Sequence, residues 1–184
     1  AEYFGLADKV DLIMNTFSKT LASLGGCVAG KESVIHYIKH NARPFIFSAS
    51  IPPAQIGAAR EALRILEQEP QRVRRLNEIA ATMRRGLSAL PHVRVFDSGN
   101  DLVPIIPVLT GSIGRTLFTA RNLLEAGVYV NPVLPPAVPK ESCLLRTSYT
   151  ATHTNAQLDE GLAIFDAVTS AMAANTEVDF DIDF

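Results

Sequence analysis

Lys19 is the residue in this chain best placed to do chemistry. It follows the apolar run Val10-Asp11-Leu12-Ile13-Met14, stands among the hydroxyls of Thr16, Ser18 and Thr20, and precedes the pair Gly25-Gly26. That wording places one lysine at the mouth of a buried strand. Partial desolvation lowers the pKa of a lysine and frees its amine to attack an aldehyde as a nucleophile, forming a Schiff base. The neighbouring hydroxyls suit a phosphate.

The elements that must hold this lysine follow from pattern. Val10 to Phe17 reads as a strand, followed by a glycine-rich turn, a short helix over Glu32 to Lys39 and a strand over Pro44 to Phe47. Pro52 and Pro53 open a helix whose Ile56, Ala59, Leu63 and Leu66 form one apolar stripe. Pro70 breaks it and starts a longer helix, and the domain boundary is expected there.

In that longer helix Val73, Leu76, Ala80, Met83, Leu87 and Leu90 fall at 3-4-3-4-3 intervals. The arginines among them, Arg72, Arg74, Arg75, Arg84 and Arg85, are therefore expected mainly on the solvated face. Beyond it, Val93 to Phe96 and Val103 to Leu109 read as strands, Gly114 to Glu125 as a helix closed by Gly127, and Val128 to Asn131 and Cys143 to Tyr149 as strands. Thr154 and Gln157 have the spacing of a capping box before a last helix that turns Leu158, Leu162, Phe165, Val168 and Met172 inward. Strands under helices on one face make a small α+β domain. The acidic and apolar tail from Thr176 has no element after it to pack on, and is expected to be flexible.

The 184 residues are 47% hydrophobic and 20% charged, an ordinary globular composition. A net charge of −2 gives no general attraction to nucleic acid. Cys27 and Cys143 are too few for a disulfide framework and lack CxxC spacing, and His36, His40, His92 and His153 show no ligand spacing, so no metal site is expected. No apolar stretch reaches the roughly 18 residues of a membrane span and no secretory pattern opens the chain, which points to a cytoplasmic protein.

The segment Thr16-Phe17-Ser18-Lys19-Thr20-Leu21-Ala22-Ser23-Leu24-Gly25-Gly26 resembles the cofactor-lysine segment of the α-oxoamine synthases. These are pyridoxal-phosphate (PLP) enzymes of aminotransferase-like fold, and the likeness is strongest to the bacterial serine palmitoyltransferases among them. Further blocks keep compatible order and spacing: Lys39-His40-Asn41-Ala42-Arg43 with Ser48-Ala49-Ser50, Gly127-Val128-Tyr129-Val130-Asn131-Pro132, Leu144-Leu145-Arg146-Thr147-Ser148 and Ala151-Thr152-His153-Thr154. The resemblance runs to about Ala167.

It implies an α/β chain: residues 1–69 as the C-terminal part of a PLP-binding large domain, 70–174 as a small α+β C-terminal domain, and 175–184 as an acidic tail. Lys19 is then the catalytic residue and carries pyridoxal 5'-phosphate, with Thr16 and Ser18 at the cofactor phosphate. Ser48 and Ser50 lie in a block that resembles the phosphate contact from a neighbouring subunit, which implies a homodimer with a shared active site. Arg146 matches the arginine that faces the substrate carboxylate, which a guanidinium grips with two parallel hydrogen bonds. The implied reaction condenses an amino acid, serine, with a long-chain acyl-CoA, releasing CoA and carbon dioxide and giving a 3-ketosphinganine. Peripheral membrane contact stays open.

Two departures matter. Some relatives begin the proline-rich loop with a second carboxylate-binding arginine, where this chain has Leu134 before Pro135-Pro136. The aspartate that pairs with the pyridine nitrogen and the histidine that stacks on the ring have no counterpart here, as expected if they belong to a missing N-terminal segment of the same enzyme. On that reading the 184 residues do not turn over substrate alone. 8-Amino-7-oxononanoate synthase, 2-amino-3-ketobutyrate CoA ligase and a non-catalytic subunit or fragment are the alternatives.

Overall fold

A computed structural model describes residue 1 and residues 4–174. The chain divides between Pro70 and Gln71 into two compact units.

In the first unit β1 (Leu12–Thr16) and β2 (Gly26–Gly30) form an antiparallel hairpin in which Thr16 stands opposite Gly26 and Leu12 opposite Gly30. α1 (Glu32–Asn41), α2 (Arg43–Ile46) and α3 (Pro53–Gln68) follow. Two expectations are corrected here. Pro44 to Phe47 is not a strand: Pro44 sits in the first turn of α2, where its fixed φ suits a helix start and its missing N–H costs nothing. Nor is the strand before Lys19 buried, since every residue of β1 and β2 is exposed and the hairpin has no third strand among the described residues. The stripe of α3 is likewise only partly covered, with Ala59 buried but Ile56 and Leu63 exposed.

The second unit has the larger core. α4 (Gln71–Ala89), α5 (Ile113–Glu125) and α6 (Asn155–Ala174) pack against a four-stranded antiparallel sheet of β3 (Arg94–Val95), β4 (Ile105–Gly111), β5 (Asn131–Val133) and β6 (Cys143–Ser148), in the order β3-β4-β6-β5. Ile79, Met83 and Leu87 of α4, Leu123 of α5 and Leu158 and Phe165 of α6 meet Ile106, Val108 and Leu145 of the sheet. β6 alternates: Cys143, Leu145 and Thr147 are buried, Arg146 and Ser148 exposed. This is the period-two signature of a sheet with one covered face.

β5 begins at Asn131, three residues later than the start expected at Val128. Val128 N donates instead to Leu123 O at 2.7 Å, closing the end of α5 behind Gly127, whose φ of +100° takes the left-handed turn that favours glycine. Arg84 also departs from expectation. It lies four residues after Ala80 and three before Leu87, on the covered side of α4, and is only 7% exposed. Its Nη1 donates to Phe96 O at 3.2 Å and its Nε lies 3.6 Å from Asp101 Oδ1.

The capping box forms as read. Thr154 N donates to Gln157 Oε1 at 2.9 Å and Gln157 N to Thr154 Oγ1 at 3.3 Å. Arg75 Nη2 donates to His153 O at 3.3 Å and to Asn155 Oδ1 at 2.6 Å, tying α4 to the start of α6. Among the described residues no helix is long and apolar enough to cross a membrane, and no His, Cys, Asp and Glu group has the arrangement of a metal site. The acidic tail lies outside the described residues.

Leu145 and Arg146 are adjacent in sequence and on opposite faces of one sheet, so they should differ sharply in their cost to stability. Leu145→Ala removes a fully buried side chain and is expected to cost about 2–5 kcal/mol, whereas Arg146→Ala should stay within about 0.5 kcal/mol. Urea denaturation of the full chain measures both, and equal costs would contradict the face assignment.

Candidate active site

Lys19 sits in the loop that joins β1 to β2, and several backbone bonds shape that loop. Phe17 N donates to Gly25 O at 2.8 Å, extending the hairpin ladder one step past Thr16 and Gly26. Ser23 N donates to Phe17 O at 2.8 Å and Ala22 N to Lys19 O at 3.0 Å, so the chain turns back immediately after the lysine. Ala22 adopts φ +47° in that turn. Leu21 and Ser23 are buried while Lys19 is exposed, which pins the loop from beneath and leaves its amine outside. The desolvation expected around the amine is absent. No described residue bonds to it.

Ser23 is the anchor that residue types alone did not reveal. Its Oγ donates to the main-chain oxygen of Gln55 at 2.6 Å and lies 3.0 Å from Gln55 Oε1, fastening the loop to the first turn of α3. Within the sequence it was one more small residue in Leu21-Ala22-Ser23-Leu24. Only its contact with a residue 32 positions away distinguishes it. Gly25 completes the attachment: at φ +93° it is in the left-handed region, and a Cβ there would lie 2.4 Å from Ile51 Cδ1.

Of the sequence candidates, Thr16 and Ser18 are brought together. Thr16 Oγ1 is 2.9 Å from Ser18 Oγ and donates to Gly25 O at 3.3 Å, and Ser18 N donates to Thr16 Oγ1 at 3.4 Å. Two hydroxyls and a primary amine therefore stand on one short loop. Ser48 and Ser50 lie between α2 and α3; Ser48 Oγ donates to Pro44 O, and Ser50 is exposed.

Arg146 belongs to the second unit. It is exposed on the sheet face away from the helices, with Pro107 opposite it on β4 and Asn131 opposite it on β5. Among the described residues its guanidinium has no ion pair or hydrogen bond. The loop Leu134-Pro135-Pro136-Ala137-Val138-Pro139 follows β5 directly, and Ala137 N donates to Leu134 O at 3.0 Å within it. At the far end of β6 burial pushes the Tyr149 phenol up, with a hydrogen bond to the Thr147 side chain pulling the other way. Thr150 N donates to His153 Nδ1 at 3.1 Å, which leaves Nε2 to carry the proton of the neutral ring.

The chain belongs to the aminotransferase class I and II family, whose model matches residues 1–165. It is 46% identical over 162 residues to a serine palmitoyltransferase of Sphingobacterium spiritivorum, spanning 88% of this chain and 40% of that one. It is 37% identical over 168 residues to an 8-amino-7-oxononanoate synthase of Thermoanaerobacter pseudethanolicus, spanning 91% of this chain and 42% of that one. A solved structure of a serine palmitoyltransferase with PLP superposes with a TM-score of 0.88 at 31% identity, over 95% of this chain and 43% of the other.

Both relatives and the solved structure are consistent with the resemblance to α-oxoamine synthases, and that solved structure holds pyridoxal phosphate as an internal aldimine. The chain spans about two fifths of the length of these curated relatives. The donor set on the loop fits the group: a primary amine for the aldehyde, and the Thr16 and Ser18 hydroxyls for a phosphate.

Gly25→Ala should loosen this loop, because it combines a left-handed φ with the clash against Ile51. The expected loss of stability is more than about 1 kcal/mol. Thermal unfolding, together with faster proteolysis between Phe17 and Gly26, checks it; an unchanged melting temperature and cleavage rate would contradict the anchoring.

Proposed function

We propose that this chain is the lysine-bearing part of a PLP-dependent acyltransferase that joins L-serine to a long-chain acyl-CoA. The products are CoA, carbon dioxide and a 3-ketosphinganine, the opening step of sphingolipid synthesis. The observation that carries the proposal is the Thr16-Ser18-Lys19 constellation on one anchored loop, in a chain 46% identical to a serine palmitoyltransferase. In this reading residues 1–69 are the end of the cofactor-binding large domain and 70–174 the small C-terminal domain, the protein is cytoplasmic, and an N-terminal segment of the same enzyme supplies the remaining groups.

When bound, the cofactor supplies an electron sink at the amino acid's α-carbon. Lys19 would hold the cofactor through its amine and would take and return protons at that carbon. Ser18 would donate its hydroxyl to the phosphate, and Thr16 would do so by turning its hydroxyl away from Gly25 O. Ser48 and Ser50 reach the phosphate of a neighbouring subunit, so two copies share each site. Arg146 grips the substrate carboxylate, orienting the amino acid before the acyl group arrives.

The second reading, 8-amino-7-oxononanoate synthase, is favoured by Leu134, which stands where some serine palmitoyltransferases have an arginine. Turnover of serine, alanine and glycine by the full-length protein separates the two. Serine should be preferred, and faster turnover of alanine would overturn the palmitoyltransferase reading. Borohydride reduction of the loaded protein should leave a pyridoxyl group on Lys19 by peptide mass, and Lys19→Ala should abolish it; an adduct on another lysine would refute the assignment.

A further inference from the structure

The sheet face that carries Arg146 offers hydrogen-bond donors and no acid. β3, β4, β5 and β6 contain no aspartate or glutamate, and their two charged residues, Arg94 and Arg146, are both exposed. Asn131 on β5 stands directly opposite Arg146 on β6. Partners of this kind in an antiparallel pair project from the same face, with Cβ atoms about 4.5–5.5 Å apart. On the other side Arg146 faces Pro107, whose side chain has nothing to donate.

The Asn131 amide is oriented by a residue just ahead of β5. Its Nδ2 donates to Tyr129 Oη at 3.0 Å, which holds the two side chains side by side. That bond uses one of the two Nδ2 hydrogens and leaves the other, together with the Tyr129 hydroxyl proton, unspent. A guanidinium, an amide N–H and a phenol thus converge on one edge of the face. An anion with two acceptor oxygens fits them, and an ammonium group does not.

We propose that Asn131, oriented by Tyr129, binds the carboxylate of the amino acid substrate alongside Arg146. It supplies the second donor that Leu134, being apolar, cannot supply from the adjoining loop. The proposal rests on the reading of Arg146 given above and deepens it: the carboxylate end of the site would be one charged and one neutral donor on neighbouring strands, without a second guanidinium.

The test is the Asn131→Leu variant of the full-length, PLP-loaded protein, whose binding of serine and of ethanolamine, which lacks the carboxylate, is followed by calorimetry. Losing a hydrogen bond to a charged group should weaken serine roughly 10- to 100-fold. Ethanolamine affinity should stay within about twofold, and a parallel melting curve shows that the variant is folded. Tyr129→Phe should give a smaller loss for serine alone.

Unchanged serine affinity in Asn131→Leu, or an equal loss for both ligands, would overturn the proposal. Arg146→Lys, measured in parallel, separates the two levels. If it weakens serine while Asn131→Leu does not, only the Asn131 assignment fails. If it also leaves serine unaffected, the reading of Arg146 fails and takes the Asn131 assignment with it.

Discussion

The hydrogen bond from Phe17 N to Gly25 O governs the chemistry of the first unit. It closes the hairpin loop at its neck, so the residues between, Lys19 among them, belong to a loop of fixed entry and exit. Everything that shapes the site follows from that closure. Thr16, the last residue of β1, is brought within hydrogen-bond distance of Ser18, and the chain after the lysine is forced to fold back toward Ser23. Ser23 then hooks the loop to α3 through Gln55. The amine stays exposed because the side chains around it, not the lysine, take the buried positions.

The second unit obeys a different constraint, the period of two along β6. Leu145 and Thr147 are fixed to the covered face by the core of α4, α5 and α6, and Arg146 is thereby fixed to the other. Thr147 Oγ1 donates to Ile106 O at 2.9 Å, so even the polar member of the buried set is satisfied within the sheet. The face left uncovered by the helices is where β6 presents the Arg146 guanidinium, with Asn131 of β5 opposite it.

Much of this was legible from residue order. The lysine segment carries its family likeness in its wording, and the Thr154 and Gln157 spacing names the start of α6 because a capping box is a local device. What was not legible depends on contacts between residues far apart in sequence. Pro44 to Phe47 is apolar enough for a strand, yet with proline in the first turn and no ladder to join it becomes helix. Arg84 looks like its exposed neighbours by type, and only its position relative to Ala80 and Leu87 carries it under the Phe96 to Asp101 segment. The β1 strand has the composition of an interior strand but no cover among the described residues. Ser23 and Asn131 are ordinary polar residues until the fold supplies Gln55 and Arg146 as their neighbours.

The boundary between β5 and its following loop has an evolutionary consequence. A one-residue slip in β6 would drive a guanidinium into an apolar core and expose a leucine, so the packing that buries Leu145 fixes which face residue 146 occupies. Leu134 lies just past the last paired residue of β5 and outside the ladder, where exchange for a longer or charged side chain leaves the sheet intact. On the proposed reading, the loop position can therefore change without disturbing the sheet that carries Arg146. If that reading holds, selection can alter the amino acid end of the site at the loop and leave the strand register untouched.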